Sequence, residues 1–566
     1  MIHVCLNDIH IAANRFHRRS SRTDRMRSPV TTCCRSQRTF DALCALGLGA
    51  WKMYSQRSLM PTTKLPTVSP GYEDTVKSLN SLQSNAAYIN ARKRNATTPN
   101  TTLQDTEKYL IRSGLSLEQL ESLSVIHVAG TKGKGSCCAF VEAILREHGF
   151  RTGFYSSPHL VSVRERIRIN GQPIGELDFS RHFWHVFGTL DRLKDDEQDM
   201  PQYFKFLTIL MFHMFVKANV DVAILEVGIG GEHDCTNIVT NTVCAGVTSL
   251  ALDHTSLLGD TIEAIAYQKS GIFKPGALAF TVIQSREAMD VLLSRARERN
   301  CTLSQVPSLD SYPWRKSVPT LGIRSDVQKE NASLAIQLAS TWLARHGRNG
   351  RRLSVLGSAE NKIGTRLNGK YVATDETPQK KSSLCFAKVA TALESCKWPG
   401  RTQYLPGRTI DFYVDGAHTE ESIECCVTWF QSIVKDPRRN RRYLMFNSTG
   451  DRDSAKLLAP LKCLGFRKAF FVPNVAGHLA SVDQENYNMP ITKQMEKCRF
   501  HAEFWGDDSV LSNSVFDALM QIRNDDQVHK TSAESYKPQL LVTGSLHLVG
   551  ALLSIVDPEL IMSTNF

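Results

Sequence analysis

With 566 residues, 42% of them hydrophobic and 22% charged, the chain is too long for one ordinary core and too apolar for a disordered or fibrous protein. Its net charge of +12 is unevenly placed: residues 1–60 carry ten Lys or Arg against Asp8, Asp24 and Asp41, a net of +7, which leaves +5 for the rest. That distribution excludes a basic nucleic-acid-binding body. The longest apolar runs, such as Ala42 to Trp51, fall well short of the roughly 20 residues of a membrane-spanning helix, so no transmembrane segment is expected. The 15 cysteines form no even framework and no CxxC pair, which points to reduced, mostly buried thiols.

In chain order, the first segment is Arg-rich and free of glutamate, with Arg15, Arg18, Arg19, Arg22, Arg25 and Arg27 ahead of an apolar stretch. Residues 1–60 read as a mitochondrial transit leader, the alternative being a disordered basic tail. Met26, Met53 and Met60 are starts from which an untargeted, cytoplasmic form would arise. From about Thr101 the pattern becomes strand, Gly-rich turn and helix. Val125 to Ala129 is a short β-rich run, and Phe140, Val141, Ile144 and Leu145 recur at helical spacing. Further strand-like runs are Val220 to Val227, Val243 to Leu250 and Ala279 to Ile283, with helical stretches at Thr261 to Lys269 and Asn331 to Leu343. A polar stretch at 346–385 reads as a linker. Beyond it come Thr409 to Val414, Arg442 to Phe446, Ala469 to Val472 and Gln539 to Val542. Strands alternating with helices predict an α/β protein: a P-loop-type ATPase domain with a mostly parallel sheet at 61–345, then a smaller Rossmann-like α/β domain at 386–566.

Gly130, Thr131, Lys132, Gly133, Lys134, Gly135 and Ser136 sit where a strand delivers the chain to a helix N-terminus. Backbone N–H groups and the helix dipole favour an anion there, glycines let the backbone wrap a phosphate, and Lys134 can reach its outer oxygens. The common P-loop ends Gly-Lys-Ser/Thr, whereas here Gly135 separates Lys134 from Ser136. Glu226 ends the apolar run from Asp221 at the C-terminal edge of a predicted central strand, where open α/β sheets bind ligands. A carboxylate there, followed by Gly228-Ile-Gly-Gly231, suits a Mg²⁺ ion; the alternative is a cap on the next helix.

The run HVAGTKGKGSCCAFVEAIL resembles the folylpolyglutamate synthase branch of the Mur ligase superfamily. The resemblance continues through Ser157-Pro-His-Leu160, Arg164-Glu-Arg-Ile167, Glu226 to Gly231, Asp253-His254, Gln268 to Ile272, Trp398-Pro-Gly-Arg401, Asp415-Gly-Ala-His418 and Thr449 to Asp453. In the family's order these cover about Thr101 to Val556. The resemblance implies an ATP-dependent ligase acting on folate polyglutamates and L-glutamate, with two magnesium ions. Ser157 and Glu226 would serve one ion, and Glu226 and His254 the second, although imidazole is an unusual magnesium partner. It implies a carbamylated lysine at Lys269, ATP contacts from Arg401 and Asp415, and an orienting role for His418, which could equally be a packed histidine. Arg164 and Arg166 become candidates for the folate or its anionic tail, or a solvated basic strand. Relatives often carry a histidine where this chain has Val327; Asn331 is retained and could meet the adenine or its loop. The resemblance also implies a monomer in the mitochondrial matrix, with inner-membrane association, and in the cytoplasm. The rivals are a dihydrofolate synthase acting on dihydropteroate and a catalytically silent nucleotide-binding scaffold.

Overall fold

The computed structural model describes residues 71–83, 100–346, 384–434, 441–450, 452–477, 490–529 and 537–566. The expected leader lies outside the described residues, as does the expected linker except at its two ends.

Among the described residues, fourteen strands form two sheets. The first eight are β1 (Val125–Ala129), β2 (Thr152–Tyr155), β3 (Ile167–Ile169), β4 (Gln172–Pro173), β5 (Val222–Glu226), β6 (Thr242–Val247), β7 (Leu278–Thr281) and β8 (Thr302–Gln305). They lie in the order β4-β3-β2-β5-β1-β6-β7-β8, parallel except at the β2–β3 and β3–β4 pairings, which are antiparallel. The second sheet takes β9 (Gln403–Pro406), β10 (Asp411–Val414), β11 (Arg442–Phe446), β12 (Lys468–Phe471), β13 (Ser509–Leu511) and β14 (Gln539–Thr543). Its order is β13-β12-β11-β14-β10-β9, with only β9 antiparallel. Every residue of β1 and β5 is buried, as expected of parallel strands covered on both faces.

Helix α1 (Lys134–Glu147) follows β1 and buries Phe140, Val141, Ile144 and Leu145. Helix α2 (Tyr203–Ala218) buries an almost unbroken apolar run from Phe206 to Phe212, so it fills the core instead of bordering it. Helices α3 (Ile262–Lys269) and α4 (Val327–His346) complete the first layer set. Helix α5 (Phe386–Ser395) lies just past the expected boundary at 386. Its Val389, Ala392 and Leu393 stripe joins the core of Phe140, Ile144 and Trp342, so the helix packs with the first sheet's elements, and the first strand of the second sheet starts at Gln403. Helices α6 (Glu420–Ile433) and α7 (Leu546–Val556) flank the second sheet. The eleven described cysteines are free and eight are buried, matching the thiol reading. Among the described residues no helix is long and apolar enough to cross a membrane.

Candidate active site

The C-terminal ends of β1, β5 and β6 meet at one edge of the first sheet, with Val128 opposite Glu226 and Ala129 opposite Val247. The phosphate loop leaves β1 there. Thr131 and Lys132 donate their N–H groups to Ser249 O at 2.9 and 3.2 Å, which pins the loop to the segment after β6. The loop then turns through Gly133 at φ +87°, a left-handed conformation that is easy only for glycine. A Cβ there would also lie 2.5 Å from Asn331 Oδ1. Helix α1 begins at Lys134, so the N–H groups of its first turn open toward the cleft.

Two lysines converge behind the loop. Lys134 Nζ donates to Gly130 O at 3.1 Å, and the buried Lys269 Nζ donates to the same oxygen at 2.8 Å. Burial, and then the charge of Lys134, lowers the Lys269 ammonium to about 7. Glu226 is buried, and its Oε2 accepts the Ser157 N–H at 3.1 Å. Burial pushes its carboxyl up, opposed by Lys134, the Ser157 N–H and Arg401. A Cβ at Gly135 would stand 3.4 Å from the same Oε2, so loop and carboxylate share one small volume.

Among the described residues no group of three or more His, Cys, Asp or Glu is gathered for a metal. The carboxylate of Glu226 beside the phosphate loop is the kind of hard oxygen donor that Mg²⁺ takes together with waters and phosphate oxygens. His254 lines the same cleft from a left-handed position at φ 51°, 3.9 Å from Asp253, with its side chain 46% exposed.

The second domain closes the cleft, whose volume is about 970 Å³. Arg401, Asp415 and His418 line it. Asp415 accepts the Thr402 N–H at 2.7 Å and the Ala417 N–H at 2.8 Å, so its first task is to hold the turn that carries Arg401. His418 Nδ1 bonds Gly416 O at 2.7 Å, and since a carbonyl only accepts, Nδ1 carries the hydrogen. Burial drives this imidazole down to about 4, leaving it neutral with a lone pair at Nε2. Lys132 pairs with Glu421 across the domains.

The structure redistributes the expected substrate arginines. Arg164 turns away from the cleft: Nη1 donates to Ile174 O at 3.1 Å, and the guanidinium lies over the Tyr72 ring. Residues 163–166 form a 3₁₀ turn, so positions two apart do not share a face. Arg166 does line the cleft, with Nε 3.0 Å from His159 Nδ1. Arg168 joins it, over the Trp398 ring at 5.2 Å, because β3 restores the strand alternation. Asn331 Nδ2 bonds Gln328 Oε1 at 3.0 Å, and Gln328 reaches Ser136 Oγ at 3.4 Å, so both amides brace the phosphate loop.

Sequence reasoning also missed Asp234 and Glu165. Asp234 accepts N–H groups from Gly228 and Ile229, both at 3.1 Å, and shapes the turn after Glu226. Glu165 collects the N–H groups of Leu160, Val161 and Ser162; the signal was the capping box spelled Ser162-Val-Arg-Glu165.

A phosphate loop on one α/β domain, closed over by arginine and histidine from a second, is the two-domain architecture of a Mur-type ligase. No protein-family model matches the chain. Folylpolyglutamate synthase, mitochondrial, of Bos taurus is 43% identical, covering 81% of this chain and 76% of its own. The protein of the same description from Cricetulus griseus is 39% identical, covering 86% of this chain and 92% of its own. A solved structure described as an "FPGS-AMPPCP-folate complex" superposes with a TM-score of 0.60 at 23% identity, covering 86% of this chain and 99% of that one. The chain belongs to the folylpolyglutamate synthase family.

Proposed function

We infer that the chain adds L-glutamate to the γ-carboxylate of tetrahydrofolate and its polyglutamates, using ATP. The observation that carries this reading is the convergence of Lys134, Lys269 and Glu226 on the phosphate loop, inside a cleft that Arg401 and His418 close from the other domain. The named relatives are folylpolyglutamate synthases, which disfavours the dihydropteroate alternative.

The γ-phosphoryl group of ATP passes to the folate γ-carboxylate, breaking the bond to the β-phosphate oxygen and giving ADP and an acyl phosphate. The amine of L-glutamate then attacks that carbonyl carbon, and inorganic phosphate leaves as the amide forms. Lys134 and the first-turn N–H groups of α1 hold the phosphates, and Arg401 faces the charge that develops between them. Closure by the second domain keeps water from the acyl phosphate. The lone pair of His418 Nε2 can receive a hydrogen bond from the attacking amine. Ser157 and Glu226 would hold Mg²⁺, with His254 at the margin of the same cleft; the ion supplies charge neutralisation at the phosphates. Arg166 and Arg168 would meet the anionic tail of the folate.

An amine lowered to about 7 is substantially neutral in the cell, and a neutral amine can add CO₂ to become a carbamate. That supports carbamylation of Lys269, which would turn a cation beside Gly130 into an anion. Relatives named as mitochondrial, together with the basic, glutamate-free first 60 residues, support a mitochondrial address.

The deciding experiment measures ADP release by the purified chain with ATP, labelled glutamate and either tetrahydrofolate or dihydropteroate. ADP and labelled product should form with tetrahydrofolate, and a folded Lys134→Ala protein should lose at least about 10²-fold in kcat. Turnover on dihydropteroate alone would overturn the assignment.

A further inference from the structure

The loop between β2 and β3 belongs to the first domain, yet its tip packs, half-buried, against the second. Leu160 and Val161 pack on the core that includes Leu548, Val549 and Leu552 of α7. Two glycines make room for them. A Cβ on Gly550, inside α7, would lie 2.1 Å from Leu160 O. A Cβ on Gly400 would lie 3.1 Å from Leu160 Cδ1 and 2.9 Å from Val549 Cγ1. Gly400 is held at φ +72°, and its carbonyl accepts the Gly416 N–H at 2.9 Å. It is also the residue before Arg401, whose N–H closes the turn on Trp398 O at 3.2 Å.

The other end of the same short loop reaches the chemistry. Ser157 donates to Glu226, and His159 bonds Arg166. Glu165 clamps the backbone between these ends through the Leu160, Val161 and Ser162 N–H groups at 3.2, 2.7 and 2.6 Å. The loop is therefore a rigid strut whose tip sits under the turn that carries Arg401. We infer that Leu160 is a positioning residue: seated between Gly400 and Gly550, it fixes the second domain on the first, so that Arg401 is held over the Lys134–Glu226 end of the cleft. This rests on the ligase reading above and adds to it the contact that sets the spacing of the two halves of the site.

The test uses the full chain as wild type, Leu160→Ala, Leu160→Met and Gly550→Ala. Spin labels carried by unnatural amino acids at exposed Leu177 and Val528 report the interdomain distance. Alanine is the better helix former, and the three atoms nearest a Cβ at Gly550 all belong to Leu160, so harm from Gly550→Ala points to that contact. Leu160→Ala and Gly550→Ala should broaden or shift the distance distribution and lower kcat at least tenfold. Their Kd for a non-hydrolysable ATP analogue should stay within twofold of wild type. Leu160→Met, similar in volume, should keep the wild-type distribution and stay within threefold in kcat. An unchanged distribution in both damaging variants would overturn the inference, as would analogue binding that falls in step with kcat. If the wild type fails to ligate folate, the functional reading falls, and the distance measurement still decides the role of Leu160.

Discussion

Lys269 offers a quantitative test of the electrostatics beneath the phosphate loop. It is 4% exposed, and burial with the neighbouring Lys134 lowers its ammonium from 10.5 to about 7. Between those two values the unfolded chain holds a proton that the folded chain has released, so stability must rise with pH across that window. Below about 7 the lysine is charged in both states, and the folded protein carries the full cost of the buried cation. A shift of roughly 3.5 units sets a ceiling of ~5 kcal/mol, of which ~2 kcal/mol should be recovered between pH 7 and 9. Lys269→Met removes the cation at little change in volume. Gly130 O keeps Lys134 as a donor, so no carbonyl is orphaned. Denaturant unfolding of both proteins in CO₂-depleted buffer cancels every other titrating group in the difference. The Met variant should be the more stable at pH 7, and its advantage should shrink by ~2 kcal/mol by pH 9. A difference that stays flat from pH 6 to 10 would refute the buried-cation argument.

Other perturbations separate the remaining assignments. Glu226→Gln keeps the shape beside Gly135 and removes the charge, so a magnesium titration of ADP release should show a much higher half-saturating concentration and a depressed maximum; an unshifted curve would mean that Glu226 only shapes the turn. Arg168→Ala should raise the KM for folate pentaglutamate more than tenfold, whereas Arg164→Ala should leave it within about twofold, because one guanidinium lines the cleft and the other lies on Tyr72. A protein beginning at Met60 should ligate normally in vitro and stay outside mitochondria in cells, and import of that form would count against the leader.

The parts of the site that were legible in the sequence are local ones. The phosphate loop is spelled by a strand, a glycine run and a helix in contiguous residues, and Glu226 is marked by the end of an apolar run. Arg164 and Arg166 look alike in the sequence, and only the 3₁₀ turn at 163–166 shows that one guanidinium lies on Tyr72 while the other lines the cleft. Phe386–Ser395 is plainly amphipathic, but its stripe does not say which of two cores it joins. Long-range partners left still less trace. His127 sits in the middle of β1, buried, with Nε2 at 2.9 Å from Thr236 Oγ1, 109 residues on. Thr236 in turn bonds Asp234, which holds the turn after Glu226.

The same distinction explains how the chain divides its labour. The side chains proposed to meet phosphate come from one sheet edge, where backbone hydrogen bonds to Ser249 O and the amides of Gln328 and Asn331 hold the loop. For those that reach the cleft from the second domain, the proposed positioning contact joins residues about 240 and 390 positions apart, Leu160 against Gly400 and Gly550. On the proposed reading the phosphates would rest on the first domain's loop, whereas Arg401, Asp415 and His418 would reach the nucleotide only with both domains seated together. In a two-domain ligase of the proposed kind, seating the second domain over the first would also keep water from the acyl phosphate.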